Sequence, residues 1–429
     1  MNEQALDKPS SQELAALQQR ARALQASVKR RKLALNMARG KPAAAQLDLA
    51  EALLELPGRG HHLAADGTDC RNYGGNQGLP ELRALFAELI GAAVDNTVAA
   101  GNSSLALMYD HLVFSLLKGN PDSLKPWSQE AQVKFLCPVP GYDYHFNMTE
   151  EYGIEMIPVA LGDDGPDMDQ IEALVAEDPA IKGMWCVPKY SNPTGAVYSD
   201  EVVERLAWMK TAAPDFRIFW DNAYFAHHLT PERIEIANLL AACARHGHPN
   251  RALVFASTSK ITFAGAGVAA FASSAANVQW FLQAAGKRSI GPDKINQLRH
   301  HALLPNAAAL HALMDEHRHI IAPKFVAVDR VLHKHLAAPR VATWTTPRGG
   351  YFISLFTPEG CARRVVELAS ELGVTLTPAG AAFPYGHDPQ DHHIRIAPTA
   401  LTLAEAEQAA EGIAAAVLLA VAEQGEAGN

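Results

Sequence analysis

The sequence predicts an α/β protein: a mostly parallel β-sheet between helices, joined to a smaller α+β unit. Two observations carry this reading. From about Arg71 to Ala275, short apolar runs bounded by turn residues alternate with helical segments, the pattern of a parallel sheet covered on both faces. After about Ile320 the alternation gives way to a long helix, a strand pair and isolated strands. A chain of 429 residues is long enough for a large core and for two or three domains.

The elements follow in order. "SQELAALQQRARALQASVKRRKLAL" (Ser11 to Leu35) spaces its leucines near helical intervals and predicts an N-terminal helix, which "NMARGKP" breaks. Strands are expected at "VKFLCPV", "GIEMIPV", "GMWCVP", "RIFWDNA", "RALVFAS" and "GVAAFAS". Helices lie between them, such as "SDEVVERLAWMKTAAP" with its acidic first turn. "IIAPKFVAVDRVLHKHLA" predicts the long helix and "VATWTTPRGGYFISLF" the strand pair. "VTLTP" and "HIRIAP" read as strands, and "LAEAEQAAEGIAAAVLLAVAEQ" as a closing helix. The expected division is 1–50 as an N-terminal segment and part of a small domain, 51–319 as a large domain, and 320–429 as the small C-terminal domain.

Composition narrows the function. A formal net charge of −9 disfavours a phosphate-backbone partner, so no nucleic acid is expected. No stretch approaches the roughly 18 apolar residues of a membrane span, and the polar, acidic opening predicts no secretory signal. Cys70, Cys137, Cys186, Cys243 and Cys361 are scattered without a CxxC pair, which predicts reduced thiols and a cytoplasmic setting. Histidine doublets such as His61-His62 and His227-His228 are poor chelators, because adjacent residues point to different sides of a helix or strand; no metal is expected.

The chemistry gathers at strand ends, where ligands of open parallel sheets bind. "STSKITFAGAG" (Ser257 to Gly267) sets Lys260 in a turn between two apolar runs, with Gly265 and Gly267 allowing close approach of backbone to a ligand or neighbouring helix. "FWDNAYF" ends a strand with Asp221 and places Tyr224 three residues on; "VPKYSNPTG" supplies Asn192; "VPGYDYH" supplies Tyr142 and His145. "GNSSLALMYDHL" puts Asn102, Ser103 and Ser104 at a helix start. Each alone has a plain structural reading as a turn, an N-cap or a strand end. Together they match pyridoxal 5'-phosphate. Its aldehyde needs a lysine, its ring nitrogen a carboxylate, its ring an aromatic face, and its phosphate hydroxyls and a helix N-terminus.

From about Leu35 to the C-terminal helix the chain resembles the fold type I, class I aminotransferases, nearest to the divergent bacterial subgroup Ic of aspartate aminotransferases. The likeness lies in "LNMARGKPAAAQLDL", "NYGGNQGLPELR", "GNSSLALMYD", "YSNPTGAVYS", "STSKITFAGAG" and "HIRIAPT". It implies a large cofactor-binding domain with a mostly parallel seven-stranded sheet. Lys260 would form a Schiff base with the cofactor and then shuttle the substrate's α-proton. Asp221 would pair with the pyridinium nitrogen, backed by His145. Tyr224 and Asn192 would bind the phenolate oxygen, and Tyr142 would stack on the ring. Asn102, Ser103, Ser104 and Ser257 would surround the phosphate, with Tyr73 of a neighbouring subunit reaching it, so the active form would be a homodimer with shared sites. Arg395 would clamp the substrate α-carboxylate, helped by Asn192 and the backbone at Gly40.

The implied reaction is ping-pong transfer of an amino group from an amino acid, aspartate by subgroup, to 2-oxoglutarate. The same frame also serves other amino acids, lyases and decarboxylases. Related domains serve transcription regulators, but the roughly 35 residues ahead of "NMARGKP" leave too little room for their winged-helix part. Two positions depart from the family. Most relatives pair the phosphate with an arginine eight residues after the lysine, and here that residue is Val268. No residue matches the arginine that reads a distal carboxylate; Lys287, Arg288, Lys294 and Arg299 lie in the corresponding part of the chain.

Overall fold

The computed structural model describes residues 11–338 and 340–427; the first ten residues of the expected 1–50 segment lie outside them. The helix Ser11–Arg31 stops short of the expected Leu35, where Lys32 turns into the left-handed region (φ 51°). Its Leu14, Leu17 and Ala21 pack in one cluster with Ala410, Ile413 and Val417 of the closing helix Leu403–Ala427. A two-residue strand, β1 (Leu35–Asn36), follows.

The large sheet contains β2 (Thr97–Ala99), β3 (Lys134–Val139), β4 (Glu155–Gly162), β5 (Gly165–Pro166), β6 (Ile181–Cys186), β7 (Arg217–Asp221), β8 (Ala252–Ser257) and β9 (Ala269–Ala272). Their order is β2-β9-β8-β7-β6-β3-β4-β5. From β4 through β3, β6 and β7 to β8 all pairings are parallel; β9 runs antiparallel to both β8 and β2. Every residue of β6, β7 and β8 is buried, which is why these strands read as continuous apolar runs. The implied seven strands become eight because β5 folds back on β4 at Gly165 (φ 133°), a hairpin too short to leave a sequence pattern.

The C-terminal unit holds β10 (Thr343–Trp344), β11 (Ile353–Phe356), β12 (Val374–Thr375) and β13 (His393–Ile396). β10, β11 and β13 form an antiparallel sheet, and β12 pairs in parallel with β1. The long helix expected from Ile320 begins at Ala307, where Asn306 Oδ1 accepts the Ala309 amide at 2.9 Å, and runs through Pro323 to Leu332. Its Leu310 and Met314 pack with helices and strands of the large unit, while Ile321, Phe325 and Val328 join the core of the C-terminal unit. One helix thereby ties the two cores together.

Candidate active site

Chain segments just beyond β3, β6, β7 and β8 converge on a cleft of about 160 Å³. Ser103, Ser104, Tyr142, Asn192, Asp221, Tyr224, Ser257 and Lys260, all singled out from sequence, line it. Lys260 stands in the turn between β8 and β9, with Nζ 5.0 Å from the centre of the Tyr224 ring. Its carbonyl accepts from Tyr351 Oη (3.3 Å) and meets His227 Nε2 at 3.4 Å, so the lysine's backbone is pinned by both structural units. Burial pulls the Lys260 amine below the usual lysine range, and the Asp221 charge offsets this only in part. Burial also pushes the Tyr224 phenol well above its usual range.

Asp221 closes β7 and is buried. Its Oδ2 lies 3.2 Å from His145 Nε2, and its Oδ1 has no hydrogen-bond partner. His145 is held by stacking on Trp185, with centroids 4.4 Å apart and planes 12° off parallel, and edge-on by Tyr142 at 4.9 Å. A single helix start, Tyr142 followed by Asp143–Glu151, therefore delivers both a tyrosine that lines the cleft and the partner of Asp221.

Hydroxyls gather at the other end of the cleft. Ser103 caps the helix Ser104–Lys118, accepting from the Ala106 amide. Ser257 Oγ donates to Ser259 Oγ (3.2 Å), which donates to the Asn102 carbonyl (3.1 Å). The Asn102 side chain lies outside the cleft lining, exposed, with Nδ2 bound to the Gly265 carbonyl at 3.4 Å. Val268 is buried in the core, and Lys260 is the one cation among the lining residues. Gly267 is needed for close packing within the turn, since a Cβ there would lie 3.1 Å from Thr258 Oγ1; at Gly265 a Cβ would meet nothing within 4 Å, so no close approach explains that glycine.

Arg395, on β13, adjoins the cleft through Asn192. Nη1 donates to Asp143 Oδ1 (2.8 Å) and Asn192 Oδ1 (3.4 Å), and Nη2 to Thr377 Oγ1 (3.2 Å). The guanidinium lies 5.0 Å from the Phe352 ring centre, and Nε is buried without a partner. Gly40 packs on the same ring: a Cβ there would stand 2.6 Å from Phe352 Cζ. Tyr73 is not brought to this cleft; it is 82% exposed. Sequence reasoning missed Ser259, Asp143, Thr377 and Tyr351. The first two neighbour named residues directly, whereas Thr377 and Tyr351 carry no local signal.

The family described as aspartate amino-transferase matches residues 9–428. A Mycolicibacterium smegmatis protein with the provisional description of an aminotransferase is 55% identical over 400 residues, 93% of this chain and 94% of that protein. The aspartate aminotransferase of Corynebacterium glutamicum is 49% identical over 396 residues, 92% of this chain and 91% of that protein. A crystal structure of an aspartate transaminase from Corynebacterium glutamicum superposes with a TM-score of 0.95 at 47% identity, covering 97% of this chain and 98% of that one. With a family match over almost its full length, and relatives this similar, the chain belongs to the aspartate aminotransferase family and is a transaminase.

Proposed function

We propose that this transaminase takes its amino group from aspartate and passes it to 2-oxoglutarate, with pyridoxal 5'-phosphate as cofactor, as a cytoplasmic homodimer. The observation that carries the cofactor is Asp221. A buried carboxylate oxygen without a donor costs on the order of 1–3 kcal/mol, and Oδ1 is such an atom on the wall of a cleft that also presents Lys260. A protonated pyridine nitrogen supplies the missing donor. The hydroxyls of Ser103, Ser104 and Ser257 at a helix start suit a phosphate.

Pyridoxal 5'-phosphate supplies an aldehyde that exchanges amino groups and a ring that withdraws electrons from the substrate α-carbon. The protein does the rest. Lys260, whose amine burial makes easier to deprotonate, would move the proton at the α-carbon. Asp221, held against His145, keeps the ring nitrogen protonated. Tyr224 and Asn192 would hold the phenolate oxygen, and Tyr142, also on the cleft wall, would hold the ring. Ser103, Ser104 and Ser257 would surround the phosphate, while Asn102 contributes only its backbone carbonyl, which accepts from Ser259 beside them. Arg395, with Asn192 and the backbone at Gly40, grips the α-carboxylate. Donor and acceptor share that carboxylate, so one clamp serves both half-reactions of a ping-pong cycle.

Aspartate follows from the relative 49% identical over most of the chain, which is described as an aspartate aminotransferase. The exposed Tyr73 ring supports a site completed by a second copy, and five buried free cysteines support a reducing compartment. With Val268 in place of a cation, a dianionic phosphate is costly to bury, and a lysine or arginine from elsewhere in the dimer would complete the cup. Purified protein is expected to be yellow, and borohydride to bleach it and leave the cofactor on the peptide bearing Lys260. Lys260→Ala should fold yet lose transamination; turnover at the wild-type level in that variant ends the reading. A panel of amino acids against 2-oxoglutarate tests the donor.

A further inference from the structure

A dicarboxylic substrate needs a cation besides Arg395, and of the four candidates read from sequence all but the exposed Lys287 are committed elsewhere within this chain. Arg288 pairs with Asp110 at 2.9 Å. Lys294 is buried and donates to the carbonyls of Asn72 (2.8 Å) and Gly74 (2.7 Å), holding the loop that carries Tyr73. Arg299 Nε binds Asn296 Oδ1 at 2.7 Å.

Arg39 is different. Its side chain is exposed and makes no ion pair or side-chain hydrogen bond among the described residues. Two independent contacts locate it beside the cleft. On one side its guanidinium lies 5.9 Å from the centre of the Tyr144 ring, and Tyr144 lies 5.6 Å from Tyr142, which lines the cleft. On the other side its chain neighbour Gly40 packs on Phe352, the ring that supports Arg395. The backbone between is fixed: Thr377 Oγ1 donates to the Ala38 carbonyl (2.6 Å) and Thr399 Oγ1 to the Lys41 carbonyl (2.8 Å). Thr377 also holds Arg395 Nη2, so one side chain sets the position of both arginine-bearing segments.

We infer that Arg39, on the same chain as Arg395, binds the distal carboxylate of the substrate. This rests on the reading of the enzyme as one acting on dicarboxylic acids. The carboxylate would take the open guanidinium edge-on, which a planar fork does bidentately and an ammonium does not. Tyr144 supports the guanidinium by its face and leaves that edge free.

The test is calorimetric binding of succinate and propionate to the holoenzyme, which separates a distal carboxylate from an α-carboxylate without turnover. Wild type should bind succinate at least about tenfold more tightly than propionate. Arg39→Gln should remove most of that ratio while leaving propionate binding nearly unchanged, and Arg39→Lys should restore part of it. The ratio of kcat/KM for aspartate to that for 2-aminobutyrate should fall in parallel. A wild type without preference for succinate overturns the dicarboxylic reading together with the assignment. A preference that survives in Arg39→Gln, or an equal loss for both ligands, overturns the role of Arg39 alone.

Discussion

Arg395 Nη1 and Asp143 Oδ1 meet at 2.8 Å across 252 positions of sequence. The residue proposed to clamp the substrate α-carboxylate thus already carries a carboxylate on one of its nitrogens. Asp143 neutralises a guanidinium that is otherwise buried, and it also competes with an arriving anion. Asp143→Asn is expected to tighten succinate binding by about tenfold, or 1.4 kcal/mol, and to lower KM for amino acid and oxo acid alike. Weaker binding in this variant would show that Asp143 chiefly orients the guanidinium.

In the proposed site, Asp221→Ala would leave the cofactor's ring nitrogen with no anion beside it, and the ring would lose its pull on the α-carbon. The expected fall in kcat is well beyond the factor of about 10 that 1.4 kcal/mol represents. An N-methylated cofactor analogue carries a fixed positive charge and should recover part of the rate in this variant. No recovery would remove the assigned role.

Tyr73 lends itself to a subunit-mixing experiment. Tyr73→Ala should weaken cofactor binding about 10- to 100-fold, the range for a hydrogen bond to a charged group. Mixed with Lys260→Ala in equal amounts, it should recover activity towards about one quarter of the sites, since each heterodimer has one intact site. No recovery in dimers shown to have exchanged subunits would place both residues in one subunit's site.

The pH dependence of stability should be steep in acid. Burial pulls His111 and His393 down to about 3, and His228, His300 and His317 to about 4. Each binds its proton more readily in the unfolded chain, where a pKa near 6.5 applies. Their contribution is therefore complete above about 6.5 and is lost as pH falls towards 4 and below, at up to about 1.4 kcal/mol per pH unit for each histidine. Denaturant midpoints should drop across this window. His111 sits among Phe255, Phe271 and Phe281, so His111→Phe should keep the ring packing and flatten the slope. A slope identical to wild type would exclude His111 as a contributor.

Much of this molecule was legible because its signals are local. β6, β7 and β8 read as apolar runs bounded by turns; Asp221 ends β7, and Tyr224, Lys260 and Asn192 follow the ends of β7, β8 and β6 within a few residues. The unread parts lack a local pattern. β5 is two residues long, and the start of the helix Ala307–Leu332 is rich in charged and histidine residues whose burial depends on what lies across from them.

The sequence by itself determined the alternation of the main strands and helices, the lysine in its turn, and the acid, phenol and hydroxyls that accompany it, since periodicity and turn chemistry act over a few residues. Only the tertiary structure decided which other distant groups meet: Asp143 and Thr377 on Arg395, Tyr351 on the Lys260 carbonyl, and Arg39 beside Tyr144. Those pairs are set by how the two cores dock through the helix Ala307–Leu332 and by pairing of β1 with β12. Contacts made by docking leave no trace in the spacing of residues along the chain.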